Sequence, residues 1–284
     1  MSLIDILIPT IDRPQELAVT LAGVASQTHR ELRVIVADQS ATPAYSSAAI
    51  ATLRRLIEAR GGKVDWHHRK PCHGIAEQRS FLLERATAPK VLLLDDDVFM
   101  EPWVLTELER VLDEEGIGFV GAFPAGLSFV DDVRPNEQRV EFWEGPVRPE
   151  VVEPDSAQWQ RARLHAAANI YHAAERLAPG TVRRYKVAWV GACALYDRQK
   201  LEEVGGFSFW SELPADHAGE EVLVQNLLLR RWGGCAIMPS GTYHAEAPTT
   251  IGASGRTPQA NALTLLPTML ERLGLPRVPA ENPR

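Results

Sequence analysis

Three consecutive aspartates, Asp95, Asp96 and Asp97, follow the apolar run Val91-Leu92-Leu93-Leu94 and precede Val98-Phe99-Met100. Four buried-type residues ending abruptly in three acids read as a strand that leaves a core and enters a site. Like charges packed this tightly repel, so they are tolerated where they are solvated, where one is protonated, or where a cation lies among them. Asp95 and Asp97, one residue apart at a strand end, point to the same side, which suits a hard divalent ion holding a diphosphate. The other reading is a solvated turn before the helix patterned by Leu105, Leu108, Val111 and Leu112, because acids favour a helix N-terminus.

The elements that must position these acids are legible upstream. Leu3–Ile8 reads as a strand stopped by Pro9, with Leu17, Leu21 and Val24 at helical spacing after it. Leu32–Ala37 is a second strand ending at Asp38, Ile50–Ala59 a helix stopped by Gly61-Gly62, Val64–His67 a short strand, and Ala76–Ala86 a helix. Val91–Leu94 and Ile117–Ala122 complete the strands of residues 1–125. Short strands separated by helices predict an α/β fold with a mostly parallel central sheet flanked by helices. Ligands of such sheets bind beyond the carboxyl ends of the strands, where Thr10-Ile11-Asp12, Asp38 and the aspartate triplet fall. From Ser128 to Pro154 the chain is rich in Pro and charge, a pattern of a functional loop, and helix resumes over Ala157–Leu177. Lys186–Val190 reads as a strand, Arg198–Val204 and Gly219–Trp232 as helices, and Cys235–Met238 as a last strand. The tail from Glu246 reads as loop, except for a short amphipathic helix patterned by Ala262, Leu265, Met269 and Leu273.

Composition narrows the function classes. The chain has 284 residues and a formal net charge of −7, with no Lys/Arg cluster interleaved with aromatics, so nucleic acid is not an expected partner. Three scattered cysteines, Cys72, Cys193 and Cys235, without a CxxC pair, read as reduced thiols of a cytoplasmic protein. No signal-peptide pattern opens the chain, and the longest apolar run, Val187–Tyr196, falls far short of the ~20 residues of a membrane span.

The order of short motifs resembles the family 2 glycosyltransferases of the GT-A fold over residues 3–245. Ile4-Asp5-Ile6-Leu7-Ile8-Pro9-Thr10 with Arg13-Pro14 and Leu17 is similar to the family's opening, and Ser26-Gln27-Thr28 to the end of its first helix. Val34–Ser40 resembles its "Val-Asp-Asp-Gly-Ser" strand end, with Gln39 in place of an acid and no glycine. Gly74–Arg79 resembles the segment before the metal motif, Asp95-Asp96-Asp97 the DxD motif, and Gly205-Gly206-Phe207 with Glu220-Glu221 the "Gly-Gly-Phe … Glu-Asp" block. The resemblance implies a nucleotide-binding half over residues 1–125, a variable insert over 126–180, an acceptor-binding half over 181–245 and a tail over 246–284. It implies Mn2+ or Mg2+ held by Asp95 and Asp97, with His244 as a third ligand, although a lone loop histidine is ordinarily just exposed. Pro9, Thr10, Asp12, Arg13, Asp38, Arg79, Asp95 and Asp96 would surround the nucleotide sugar, with Asp38 accepting from the base and Arg79 forking to phosphate oxygens. Asp12 reads first as an exposed N-cap, and Arg79 reads equally as a surface arginine. Glu221, or Glu220 beside it, would deprotonate the acceptor, which implies inversion at the anomeric carbon; as first-turn acids both are also ordinary dipole partners. Trp189, Gly191 and Trp210 would meet the acceptor, Trp210 reading equally as core.

Competing classes fit less well. A nucleotidyltransferase needs a glycine-rich basic loop after the first strand, and Thr10-Ile11-Asp12-Arg13-Pro14 has neither glycine nor lysine. A processive synthase needs Gln-x-x-Arg-Trp, and Leu228 stands where that Gln should precede Arg231-Trp232. The expectation is metal-dependent, inverting glycosyl transfer from a UDP-, GDP- or dTDP-sugar to a glycan, lipid-linked or small-molecule acceptor, the alternative being a non-catalytic sugar-nucleotide-binding module. Donor base, sugar, acceptor and oligomeric state are not encoded in any motif.

Overall fold

The computed structural model describes residues 2–70, 72–134, 137–154, 156–166, 170–249, 255 and 257–275. In chain order the elements are β1 (Ile4–Thr10), α1 (Pro14–Ser26), β2 (Leu32–Asp38), α2 (Ala48–Ala59), β3 (Lys63–His68), α3 (Ile75–Leu83), β4 (Lys90–Leu94), β5 (Val98–Met100), α4 (Val104–Glu115) and β6 (Phe119–Gly121). The second half adds α5 (Ala162–Ala166), α6 (Tyr171–Ala174), β7 (Arg183–Tyr185), β8 (Cys193–Asp197), α7 (Arg198–Glu203), α8 (Glu220–Arg231), β9 (Gly234–Met238), β10 (Thr242–His244) and α9 (Leu266–Arg272).

Eight strands form one sheet in the order β3-β2-β1-β4-β8-β6-β9-β7. β1 to β4 run parallel, whereas β8 is antiparallel to both β4 and β6, and β7 is antiparallel to β9. Alternation along each strand sends side chains to opposite faces, so both faces of these apolar strands are covered. Ile6, Ile8, Val34, Val36, Leu92 and Leu94 pack with Leu17 and Leu21 of α1, Ile50 and Ile57 of α2, and Leu105, Leu108, Val111 and Leu112 of α4. Leu7, Ile35, Val91 and Leu93 pack with Ala76 and Leu82 of α3, Leu201 of α7, Leu227 and Leu228 of α8, and Met269 and Leu270 of α9. The architecture is therefore helix–sheet–helix, and the described part of the 246–284 tail joins the second core.

Two expectations are corrected. Lys186–Val190 is not a strand; the edge strand is β7, three residues earlier, where charged Arg183 and Arg184 suit a sheet edge. The run Val187–Tyr196 instead contains a turn, with Ala192 at φ +68, that delivers the chain into β8. Ala157–Leu177 is not one helix but a 3-10 turn (Ala157–Arg161), α5 and α6, and residues 167–169 lie outside the described set. Buried Arg161, bonded to Glu150 at 2.8 Å and Glu141 at 3.2 Å, anchors the first piece separately from Ile170 in the core.

A small second sheet pairs β5 antiparallel with β10, setting His244 opposite Val98 and so beside the aspartate triplet. α3 begins at Gly74, whose φ of +94 turns the chain where Ala215 crosses it. A Cβ there would lie 2.3 Å from the Ala215 carbonyl oxygen and 2.7 Å from His217. Gly74→Ala combines a strained φ with that clash, so it should lower stability by about 2 kcal/mol or more, read as a drop in the thermal unfolding midpoint. An unchanged midpoint would show that α3 and the 215–217 loop are not packed as described.

Candidate functional site

The carboxyl ends of β1 and β4 meet a cleft of about 1000 Å³, closed on the other side by the N-terminal turns of α3 and α8. Thr10 ends β1 and donates its hydroxyl to Asp96 Oδ2 at 2.6 Å, which ties the first strand to the aspartate triplet. Arg13 Nη1 bridges Asp96 Oδ1 at 3.2 Å and Asp97 Oδ2 at 2.9 Å, and its Nη2 reaches the Pro248 carbonyl. Burial raises the Asp96 pKa to about 6 against the Thr10 hydrogen bond that opposes it, and burial likewise raises that of Asp97, with His244 opposing.

At the centre of the cleft stands Arg79, on the third residue pair of α3 and only 3% exposed in its side chain. Its Nη2 bonds Asp95 Oδ1 at 2.9 Å, and its Nη1 contacts Glu221 Oε2 at 3.0 Å and Glu220 Oε1. One guanidinium therefore faces three carboxylates from two different elements. Burial alone would lower the Arg79 pKa, but Glu221, Glu220 and Asp95 together hold it above its ordinary value. The carboxylates in turn share too little positive charge. Glu221 rises to about 8, driven first by burial and then by Asp95 and Glu220, against the pull of Arg79.

Glu221 is held rather than free. Its Oε2 also accepts the Ala192 amide at 3.4 Å, while its Oε1 is buried and has no hydrogen-bond partner. Gly219, at φ +84, begins this turn pressed against Asn261, where a Cβ would stand 2.7 Å from Asn261 Oδ1. Four residues on from Glu221 and on the same helix face, Gln225 accepts the Val190 amide at 2.7 Å and donates to the Val190 carbonyl and the Tyr196 hydroxyl, both at 2.7 Å. That clamp fixes the segment carrying Trp189 and Gly191, which line the cleft.

Of the residues singled out in the sequence, Pro9, Thr10, Arg13, Arg79, Asp95, Asp96, Asp97, Trp189, Gly191, Glu220, Glu221 and His244 all line this cleft. Asp38, Asp12 and Trp210 do not. Asp38 is fully buried, and its carboxylate accepts the amides of Ser40 (2.9 Å) and Ala44 (2.7 Å) and the Trp66 indole (3.1 Å), which shapes the loop after β2. Asp12 caps no helix: it accepts the Ala41 amide at 2.8 Å and gives its own amide to Ser40 Oγ. Trp210 packs half-buried beside His73, ring centroids 6.0 Å apart. Arg79 is not a surface residue: both its terminal nitrogens meet carboxylates, and its buried Nε has no hydrogen-bond partner. Sequence reasoning missed Gln225 and His217. The first carried a signal, a polar residue on the apolar face of α8. His217 carried none; its Nδ1 donates to the Pro214 carbonyl at 2.7 Å, leaving Nε2 to accept the Ala76 amide at 3.2 Å.

The fit to a divalent ion rests on the donor set. Asp97 Oδ2 and His244 Nε2 lie 3.5 Å apart, and the Asp95 side chain, 36% exposed, opens into the same cleft. Carboxylate oxygens suit Mg2+ or Mn2+, which ordinarily fill their remaining positions with phosphate oxygens and water. His244 Nδ1 accepts the Glu246 amide at 2.8 Å, which leaves the ring proton on Nε2, so the histidine joins such a set only by giving up that amide. Among the described residues no three His, Cys, Asp or Glu side chains converge to hold an ion unaided, and a ligand bringing its own oxygens is what this arrangement fits.

Comparison with known proteins follows the same lines. S. aureus TarS 1-349 in complex with UDP-GlcNAc superimposes with a TM-score of 0.57 at 13% identity, over 95% of this chain and 65% of that one. S. aureus TarS gives a TM-score of 0.55 at 17% identity, over 87% of this chain and 37% of that one. At such identities the likeness is one of fold, GT-A, and the chain spans only 37% and 65% of the lengths of those two structures. No curated protein matches by sequence. The profile of glycosyl transferase family 2 matches residues 5–205, most of the chain, and this protein belongs to that family.

Proposed function

We propose that the chain transfers a sugar from a nucleotide-diphosphate sugar to an acceptor hydroxyl, with inversion at the anomeric carbon and with Glu221 as the base. The observation that carries this reading is the state of Glu221 in the cleft. One of its oxygens is anchored by Arg79 and Ala192, and the other is buried without a partner. A buried acceptor atom left unmade costs about 1–3 kcal/mol, a cost carried here by a side chain that borders the cleft. A pKa near 8 also matches a general base working close to neutral pH, where it can both take and release a proton. Family membership and the likeness in fold to a structure holding UDP-GlcNAc support a sugar nucleotide as donor.

In this reading the residues divide the work by position. Asp95 and Asp97 would hold Mg2+ or Mn2+ against the diphosphate, and a bound ion supplies Lewis-acid stabilisation of the leaving group. Arg13, bonded to both Asp96 and Asp97, spreads positive charge over the same edge of the cleft. Arg79 keeps Asp95 and Glu221 in one rigid frame, so that donor and base share a fixed geometry. Trp189 and Gly191 border the side from which an acceptor would approach Glu221.

Glu221→Gln should leave donor affinity near wild type while lowering transfer by roughly 10²–10⁴-fold, the scale of a lost general base. Wild-type turnover in that variant would move the base elsewhere, and a wild-type chain that binds a sugar nucleotide without turning it over would be a binding module. Because the ionised form is the base, the rate of the wild type should rise with pH through an ionisation near 8, well above the ordinary glutamate range. A rate flat from pH 6 to 9 contradicts the assignment. Arg79→Met leaves buried Glu220 and Glu221, and Asp95 beside them, without their cation and should cost about 3–5 kcal/mol. That deficit should shrink as pH falls from 8 to 5, since protonation relieves the repulsion; thermal melts across the range would show it, and a pH-independent deficit would contradict the network.

A further inference from the structure

A second cavity, of about 430 Å³, lies behind the wall formed by β10 and the segment after β6. Close-packed interiors hold few voids larger than a water molecule, so a space of this size is not a packing defect. Its lining is aromatic: Trp103, Phe123, Tyr171 and Tyr243 surround it, with Ile170 and Met238 beneath. Glu101 is the one charged side chain among the lining residues, and its carboxylate is already engaged, accepting the Trp103 indole at 2.6 Å and the Tyr243 hydroxyl at 2.5 Å. The polar ends of two rings are thus tied to one another and the apolar ring surfaces are left to the cavity. Among the described residues no Lys, Arg or His lines it, which disfavours a phosphate or any other anion.

The cavity adjoins the cleft. Phe123 lines both spaces, and on β10 the alternation of side chains gives Tyr243 to this cavity and His244 to the cleft. The remaining wall comes from Tyr171 and Ala174 of the insert, and the mouth opens at exposed Gly180 and Thr181. We infer that this cavity binds the neutral, apolar portion of the acceptor, an aromatic ring or a comparably flat hydrocarbon, with the acceptor's hydroxyl reaching past Phe123 into the cleft. The acceptor identity rests on the glycosyl-transfer reading above; the existence of the apolar site does not. The volume falls within the roughly 300–1,000 Å³ of small-molecule sites, where a few aromatic side chains dominate recognition.

The test uses the full chain and a neutral fluorescent probe, N-phenyl-1-naphthylamine, titrated into the wild type and into two cavity-filling variants, Ala174→Trp and Thr181→Trp, whose folding is checked by thermal melts. The expected result is saturable binding at one site, weakened at least tenfold in either folded variant, with displacement by benzyl β-glucoside and not by methyl β-glucoside. Nucleotide release from UDP-GlcNAc, or from whichever sugar nucleotide is turned over, should be accelerated more by the benzyl than by the methyl glycoside. Both variants should lose that advantage yet keep the wild-type rate of donor hydrolysis in water. Equal probe binding by wild type and variants overturns the site. Probe binding with equal response to the two glycosides overturns its assignment to the acceptor. Absence of any donor turnover by the wild type overturns the glycosyl-transfer reading, and the acceptor assignment with it, while the probe result still decides whether the cavity binds apolar ligands.

Discussion

The buried guanidinium of Arg79 is the constraint on which the cleft depends. It gathers Asp95 from the end of β4 and Glu220 and Glu221 from the first turn of α8, residues more than a hundred positions apart in the chain. Three carboxylates cannot all be ionised next to one cation in a water-poor site without a large penalty, and the raised pKa of Glu221 is the visible consequence. The arrangement stabilises little by itself, because desolvating these charges offsets most of their attraction. What it provides is geometry: an acid from the end of β4 and an acid from the first turn of α8 are locked in one frame before any ligand arrives.

The surrounding fold serves that frame by hydrogen bonds of modest individual strength. Thr10 fixes Asp96, the β5–β10 pair brings His244 against Asp97, and Gln225 clamps Val190 so that Trp189 and Gly191 stay at the cleft wall. Each of these partners lies on a different element, so the cleft forms only when the whole sheet has assembled. The insert contributes less regular structure, held by buried Arg161 and its glutamates, and it closes the second cavity rather than the first.

Much of this was legible in the sequence because parallel strands buried on both faces read as apolar runs that stop abruptly. Leu3–Ile8, Leu32–Ala37 and Val91–Leu94 could be placed as strands, though the first runs on through Pro9 to Thr10, and with them the edge where Thr10 and the aspartates converge. Antiparallel insertions carry no such mark. β8 was hidden inside Val187–Tyr196, where a turn interrupts a run that is apolar on both sides of it. Asp38 looked like a ligand-facing acid because a strand end shows only residue type; that two backbone amides and the Trp66 indole consume its oxygens depends on how the next loop folds back. Arg79 was equally opaque, since a single arginine in a helix does not reveal the three acids it will meet.

The central claim is that this cleft binds a nucleotide diphosphate with help from an ion at the aspartate edge. The most direct test is a thermal-shift series with UDP, GDP, dTDP and CDP, each with and without Mn2+, on the wild type and on Asp97→Ala. A ligand at a hundred times its dissociation constant adds about 2.7 kcal/mol of stability, enough to move the midpoint visibly. The account predicts that one nucleotide stabilises the wild type, that Mn2+ enlarges the shift, and that Asp97→Ala loses the enlargement. No shift with any of the four nucleotides, with or without the metal, would contradict it.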